Sequence, residues 1–384
     1  MSPELHIRGR IVSPAHSFDD GVVSVGGERI IAVRGFAQWR SAHPDAPTPL
    51  SGGTVLPGLV DIHNHGGAGF RCDTTEAADT VAAVEYHRSR GSTTVLASIV
   101  TAAPETMVAQ VGALRELAET GVIGGIHIEG PFLSGVRCGA QDPRYLLHPD
   151  PELTRRFIDT AGGQLRIMTL APELPGFDKV ARLLTEHGVT VSLGHSDADY
   201  PTFLDALRPK GFATSVTHLA NGMPPLHHRD PGPVGAALTA AARGQVTVEL
   251  IGDGIHVDPG FGALVFAIAA ERVALITDAM QAAGMPDGVY RLGPQEVLVS
   301  AGVARVASGS IAGGTSHLLQ CVAWAVRECG VRLEDAVRAA TLTPARTAGL
   351  EEIGDLAVGC YADLIVVDDD LRLRRVLRRG GWLA

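Results

Sequence analysis

His63 and His65, in the run Asp61-Ile-His-Asn-His65, are the residues of this 384-residue chain whose types and spacing point most directly to chemistry. They follow the apolar stretch Thr54–Val60 and lead straight into Gly66-Gly67. Side chains alternate faces along a strand, so both imidazoles point the same way at the strand's end. Two imidazoles held on a rigid strand that opens into a glycine loop are well placed to hold a metal ion. Such pairs also occur on solvated strand ends, so the reading depends on partners elsewhere in the chain.

Those partners recur in order. They are His127-Ile-Glu129-Gly-Pro131, Leu170-Ala-Pro-Glu173, Gly194-His195-Ser196, Thr217-His218-Leu-Ala-Asn221, Gly252-Asp253-Gly-Ile-His256 and Thr277-Asp278-Ala279. Imidazole and carboxylate are the ligands expected of Zn²⁺ or Fe²⁺. A catalytic site leaves one position open for water, and a metal-bound water ionises near neutral pH. Asp278 is placed to accept that proton and later return it to a leaving group. Taken singly, each residue reads as well as a cap or a solvated loop residue, which is the expectation for His87, His187, His227 and His228. His127, in register with Glu129, reads either as a residue behind the ligands or as a packed core histidine. Random polar placement rarely puts His, Glu, His, His and Asp on strands 1, 3, 5, 6 and 8 of one fold.

The elements that must position these residues follow from the apolar pattern. Candidate strands lie at 55–62, 93–99, 124–129, 165–170, 189–194, 212–218, 246–251 and 272–277. Helical stretches lie at 76–90, 104–119, 150–161, 177–187, 199–208 and 259–270, with a less regular one at 230–243. Two more, 315–329 and 333–347, follow the last strand. Eight short apolar strands separated by helices predict an α/β fold, a (β/α)8 barrel of the TIM type. A doubly wound open sheet is the rival. The polar residues cluster just after the C-terminal ends of nearly all the strands, which favours the barrel with its active site on that face. The flanks, with Leu5–Arg8, Gly21–Val25, Arg29–Val33, Tyr361–Val367 and Leu373–Leu377, predict a small β-sandwich domain built from both chain ends. The expected division is 1–54 with 351–384 for this domain and 55–350 for the catalytic barrel.

Composition bounds the function. An apolar content of 45% supports a large core. A formal charge of −10 argues against a nucleic-acid partner. The five cysteines form no CxxC pair, which fits reduced thiols. Met1–Arg8 lacks the apolar core of a signal peptide, and no apolar run reaches the length of a membrane span. A cytoplasmic enzyme with no membrane partner is expected.

The ordered motifs resemble the amidohydrolase superfamily, and within it the N-acetylglucosamine-6-phosphate deacetylases. The matching runs are Pro57–Gly67, His127–Leu133, Gly194–Ser196, Thr217–Met223, His228–Gly232, Asp253–His256, Ile276–Ala279 and Gly309–Gly313. The resemblance implies that Glu129, His195 and His218 form the metal site shared across the family. His63 and His65 would bind a second ion with Glu129 bridging, and Asp278 would serve as catalytic acid/base beside the metal. It further implies one or two divalent ions per subunit, Zn²⁺ first and Fe²⁺ second. Asn221, Arg229 and His256 would recognise the sugar phosphate, with Arg229 reaching across a homodimer interface; Ala140, Gln141, Ala220 and Ile311 complete the implied substrate contacts. Arginine suits phosphate because its planar fork binds oxygens in pairs. Ala220 stands where many relatives carry an aromatic residue, and Gln141 where some carry His. Cys138 shares the Gln141 loop and is expected to be passive. Relatives that bridge two metals with a carboxylated lysine ending strand 4 are excluded, because strand 4 ends in Leu170-Ala-Pro-Glu173, Lys179 lies in a helix and Lys210 precedes strand 6.

The implied activity is hydrolysis of the acetamide of N-acetyl-D-glucosamine 6-phosphate to D-glucosamine 6-phosphate and acetate. The alternatives are a deacetylase of N-acetylgalactosamine 6-phosphate or another N-acyl amine, and a non-catalytic sugar-phosphate-binding scaffold.

Overall fold

A computed structural model describes residues 4–383. Eight parallel barrel strands run in chain order: Leu59–Asp61, Ser92–Val95 continued by Ala97–Ile99, Ile126–Glu129, Leu165–Leu170, Thr190–Leu193, Ser215–Val216, Thr247–Ile251 and Val273–Ile276. They are numbered barrel strands 1 to 8 below. Strand 1 pairs with strand 2, and strands 2 to 8 pair successively. Closure between strands 8 and 1 comes just past their C-terminal ends. Asp278 N donates to the His63 carbonyl at 3.0 Å, and His65 N to the Ala279 carbonyl at 2.7 Å. The two strand ends that carry His63, His65 and Asp278 are therefore stitched by the backbone itself.

The expected helices form as Ala77–Ser89, Pro104–Glu119, Pro151–Ala161, Phe177–Glu186, Tyr200–Ala206, Gly232–Ala242, Pro259–Ala269 and Leu318–Arg327. Several start where the sequence offers a cap: Asp150, Asp199 and Asp258 each accept at least one backbone N–H of a first turn that carries proline. The stretch at 333–347 is two short helices, Leu333–Ala339 and Leu342–Thr347. The less regular pattern at 230–243 is a buried helix, apolar on nearly every side, so it carries little amphipathic signal.

The apolar run read as one strand at 55–62 is two. Ser51–Pro57 belongs to a seven-stranded sheet, between Leu5–Val12 and Leu364–Val367, and only Leu59–Asp61 enters the barrel. The break is at Gly58, where a Cβ would stand 2.1 Å from the Thr93 hydroxyl oxygen; only a residue without one allows that approach. The remaining strands of this sheet, Ser17–Gly26, Arg29–Gly35, Leu373–Arg378 and Gly381–Trp382, come from both ends of the chain. Two of the larger elements have no counterpart among the expected ones. Helix Phe36–Ala42 packs on the small sheet. A three-stranded antiparallel sheet, Gly288–Leu292, Gln295–Ser300 and Val303–Val306, follows barrel strand 8 and brings Leu292 to the barrel mouth.

Candidate metal centre

The polar ends of the barrel strands converge on a cavity of about 360 Å³ at the C-terminal mouth. Glu129, at the end of strand 3, is its centre. Its Oε1 lies 3.0 Å from His195 Nε2 and 2.8 Å from His218 Nε2. Its Oε2 lies 3.3 Å from His65 Nε2 and 3.6 Å from His63 Nε2. One carboxylate thus spans two imidazole pairs. Asp278 Oδ1 closes the first pair at 3.2 Å from His65 and 3.4 Å from His63. All six residues are buried.

The backbone is forced where these side chains turn inward. His195, His218 and Asp278 have φ of 47°, 27° and 47°, a left-handed conformation that costs a non-glycine residue of order 1–3 kcal/mol. Gly222 relieves part of the crowding. At its φ of 59° a Cβ would lie 2.8 Å from His195 Nδ1.

The hydrogen bonds behind the rings decide which nitrogen faces the cavity. His63 Nδ1 donates to Glu249 Oε2 at 3.1 Å, His65 Nδ1 to the Ser98 carbonyl at 3.3 Å and His195 Nδ1 to the Arg137 carbonyl at 2.7 Å. Each leaves its Nε2 pointing inward, the arrangement that outer partners impose on metal-ligating histidine. His63 and His65 then hold their Nε2 atoms 3.0 Å apart, and His195 and His218 hold theirs 3.1 Å apart. Nitrogen lone pairs that face each other at such distances repel unless positive charge sits between them. The carboxylates call for the same charge. Burial disfavours an imidazolium at His65, yet Asp278 and Glu129 outweigh it and raise its pKa to about 9. Burial likewise opposes ionised Glu129, but His63, His195 and His218 hold it well below the usual carboxylate range. Two imidazoles and a shared carboxylate at each position fit a divalent cation such as Zn²⁺ or Fe²⁺.

His127 is not part of this donor set. Both its ring nitrogens are engaged, Nδ1 with the Ser98 hydroxyl and Nε2 with the Thr169 hydroxyl, each at 2.9 Å. Burial, then the neighbouring His63, push its pKa well down. It stands edge-on to His63 at 4.5 Å and packs the ring in place.

Of the expected substrate contacts, Ala140, Gln141, Asn221, His256 and Ile311 line the cavity. Gln141 Nε2 donates to Glu129 Oε2 at 2.7 Å while its Oε1 accepts from Thr101 N at 2.8 Å, so it also steadies the central carboxylate. His256 is set by Asp253, whose Oδ2 accepts its Nδ1–H at 2.7 Å and whose Oδ1 accepts its backbone N–H at 2.9 Å. Burial opposes charge on His256, but Asp253 prevails and raises its pKa. Ala220 is not among the residues lining the cavity; it turns the chain at φ 74° and packs on the core. Arg229 is exposed on its loop and does not reach the cavity of its own chain. Cys138 lies beside the cavity wall, its thiol pushed up by burial.

Glu249 escaped the sequence reading. It accepts from His63 Nδ1 and, at 3.2 Å, from His218 N, so it reaches both imidazole pairs from behind. A carboxylate in the middle of the apolar strand Thr-Val-Glu-Leu-Ile251 was its signal, because glutamate is almost never fully buried without a partner.

A model of the family described as "Amidohydrolase family" matches residues 54–380. The chain belongs to the amidohydrolase family. Within this family it is 37% identical over 345 residues to an N-acetylglucosamine-6-phosphate deacetylase of Vibrio furnissii, covering 88% of this chain and 84% of that one. It is 35% identical over 343 residues to an N-acetylgalactosamine-6-phosphate deacetylase of Escherichia coli O157:H7, covering 88% and 89%. Among solved amidohydrolase structures it resembles a mutant N-acetyl-D-glucosamine-6-phosphate deacetylase of Mycobacterium smegmatis in complex with N-acetyl-D-glucosamine 6-phosphate, with a TM-score of 0.93, 40% identity and 99% of each chain covered. No helix among the described residues is long and apolar enough to cross a membrane.

Proposed function

We propose that this amidohydrolase removes the acetyl group of N-acetyl-D-glucosamine 6-phosphate, giving D-glucosamine 6-phosphate and acetate. The observation that carries the reading is the Glu129 carboxylate spanning two inward-facing imidazole pairs, with Asp278 beside one of them at the mouth of the cavity. His63, His65, Glu129, His195, His218 and Asp278 would hold one or two divalent ions, Zn²⁺ before Fe²⁺. Such an ion supplies Lewis acidity, polarising an amide carbonyl and lowering the pKa of water. The work of the chain's own residues is proton transfer and orientation. Burial disfavours ionised Asp278, but the adjacent His63 and His65 outweigh it and bring its pKa down to about 2. Asp278 is therefore a carboxylate at neutral pH, ready to take a proton from the attacking water. It then returns that proton to the amide nitrogen as the C–N bond breaks, so the amine leaves neutral and acetate stays behind.

His256 and Asn221 meet the sugar phosphate from the cavity wall. Arg229 cannot do so within one chain, and its place in the reading is across a homodimer interface. The five cysteines are all free, which supports a reducing, cytoplasmic setting. The Escherichia coli relative named for the galacto epimer favours a second reading, the same chemistry on N-acetylgalactosamine 6-phosphate. Amine release from both phosphorylated epimers and from unphosphorylated N-acetylglucosamine, with and without a chelator, tests the choice. Fast, chelator-sensitive release from the gluco phosphate is the expected result. Faster release from the galacto phosphate would move the assignment to the second reading, and no release from any of the three would overturn both.

A further inference from the structure

A third metal-capable group lies far from the barrel mouth, in the small β-domain. His6 is on strand Leu5–Val12, Glu4 immediately precedes that strand, and His43 caps the C-terminus of helix Phe36–Ala42. One ligand atom from each lies within 4.8 Å of the other two. Glu4 Oε2 is 3.7 Å from His6 Nε2, and the two imidazole centroids are 5.2 Å apart.

The hydrogen bond behind His43 repeats the logic of the barrel mouth. His43 Nδ1 donates to the Trp39 carbonyl at 2.9 Å, which leaves Nε2 as the free lone pair. His6 Nδ1 has the Ser24 hydroxyl at 2.9 Å and the Trp39 indole N–H at 3.3 Å. The indole N–H can only donate and the Ser24 hydroxyl can turn to donate too, so in the free protein Nδ1 accepts both and Nε2–H faces the Glu4 carboxylate. An ion at Nε2 takes that proton's place, the proton moving to Nδ1 with Ser24 Oγ as its acceptor. Burial and the neighbouring His43 lower the pKa of His6 against the opposing pull of Glu4.

We propose that Glu4, His6 and His43 form a separate binding site for a divalent transition cation, with Zn²⁺ the best match. Two imidazoles and one carboxylate suit a borderline ion, whereas Ca²⁺ and Mg²⁺ favour all-oxygen shells. Tetrahedral zinc, with ligand distances of about 2.0–2.1 Å, needs donor atoms about 3.3 Å apart. Rotation of the exposed Glu4 side chain closes the remaining gap. The ion would join the start of the inner strand Leu5–Val12 to the end of a seven-residue helix, which is too short to be stable alone. Its role is to tie that helix to the sheet, and it takes no part in the barrel chemistry.

Trp39 supplies the readout. Its ring stacks on His43 at 4.9 Å and meets His6 edge-on at 5.1 Å, so Cu²⁺ bound there quenches its fluorescence. The full-length protein, with the barrel centre already loaded with Zn²⁺, is titrated with Cu²⁺. The expected result is a saturable quenching phase that excess Zn²⁺ reverses and that Trp39→Phe removes, which separates it from the other two tryptophans. His43→Ala should weaken this phase at least about tenfold, the scale of losing one ligand's contribution, with amide hydrolysis unchanged. Glu4→Gln, at an exposed position outside the helix, should weaken it without any effect on the fold. An unchanged phase in either variant, or no saturable phase in the parent protein, overturns the proposal. None of these outcomes bears on the deacetylase reading, which is followed separately by turnover.

Discussion

The barrel mouth and the Glu4–His6–His43 corner use the same ligand types in opposite settings. At the mouth the histidines are sunk among carboxylates, and three of them have Nδ1 committed to an oxygen acceptor on another strand or loop. Three of the six residues there also sit in strained left-handed backbone. At the corner the ligands are half-buried or exposed, the Glu4 side chain is open to solvent, and neither His6 nor His43 has a positive φ. Pre-positioned donors lose little freedom when an ion arrives, whereas exposed side chains must be ordered first. The comparison teaches that ligand identity selects the class of ion, while the groups behind the ligands set how tightly and how specifically it is held.

The largest test of that contrast is Asp278→Asn. The variant should keep its metal, because the imidazoles and Glu129 remain, yet lose turnover by about 10²- to 10⁴-fold, the usual contribution of a positioned acid/base. Metal content and kcat measured on the same sample check it. Near-normal turnover would remove Asp278 from the chemistry and leave only its place beside His63 and His65.

Next in size is Glu249→Gln, which keeps the shape but removes the charge behind His63. Loss of an outer partner of a ligating histidine costs about 10- to 100-fold in metal affinity. Calorimetric titration of the metal-stripped protein should show that weakening at the His63–His65 position, with a smaller change at His195–His218, where Glu249 touches only a backbone N–H. Equal affinity in parent and variant would mean that burial alone orders the mouth, and the contrast with the small domain would lose its cause.

The smallest effect is expected from Asp253→Asn. Asp253 raises the pKa of His256 against burial, so the imidazolium persists below that raised value and is lost as pH rises through it. Removing the carboxylate leaves burial opposed only by the more distant Asp278. The alkaline rise in KM for the phosphorylated substrate should then begin at lower pH, while the pH profile of kcat, governed by Asp278, stays in place. A shift in both profiles would tie His256 to the reaction and not to binding alone.

How much of this was legible in the sequence depended on locality. His63, His65, Glu129, His195, His218 and Asp278 could be picked out because each is a polar residue at the end of an apolar run, and strand alternation says which way it points. Glu249 obeys the same alternation but lies inside its run, so its role appears only once His63, 186 residues away in sequence, is seen against it. Val55–Pro57, the end of strand Ser51–Pro57, fell into the expected barrel because the apolar pattern continues unbroken through Gly58, and hydropathy does not register a change of sheet. The sheet at Gly288–Val306 has exposed apolar residues at Val289 and Leu298, which blurs the alternation that would have marked it.

By itself, then, the order of residues determined the repeating strand–helix architecture, the face on which the polar strand ends gather, and the ligand types gathered there, because all three follow from short-range periodicity and side-chain chemistry. The resemblance already implied Glu129 between two imidazole pairs and Arg229 serving another subunit; only the tertiary structure decided that Glu249 and Ser98 fix which ring nitrogens face inward, and that Glu4 meets His43 across the small domain. Those are distances between residues far apart along the chain, and they come into existence only when the barrel closes and the two chain ends pair.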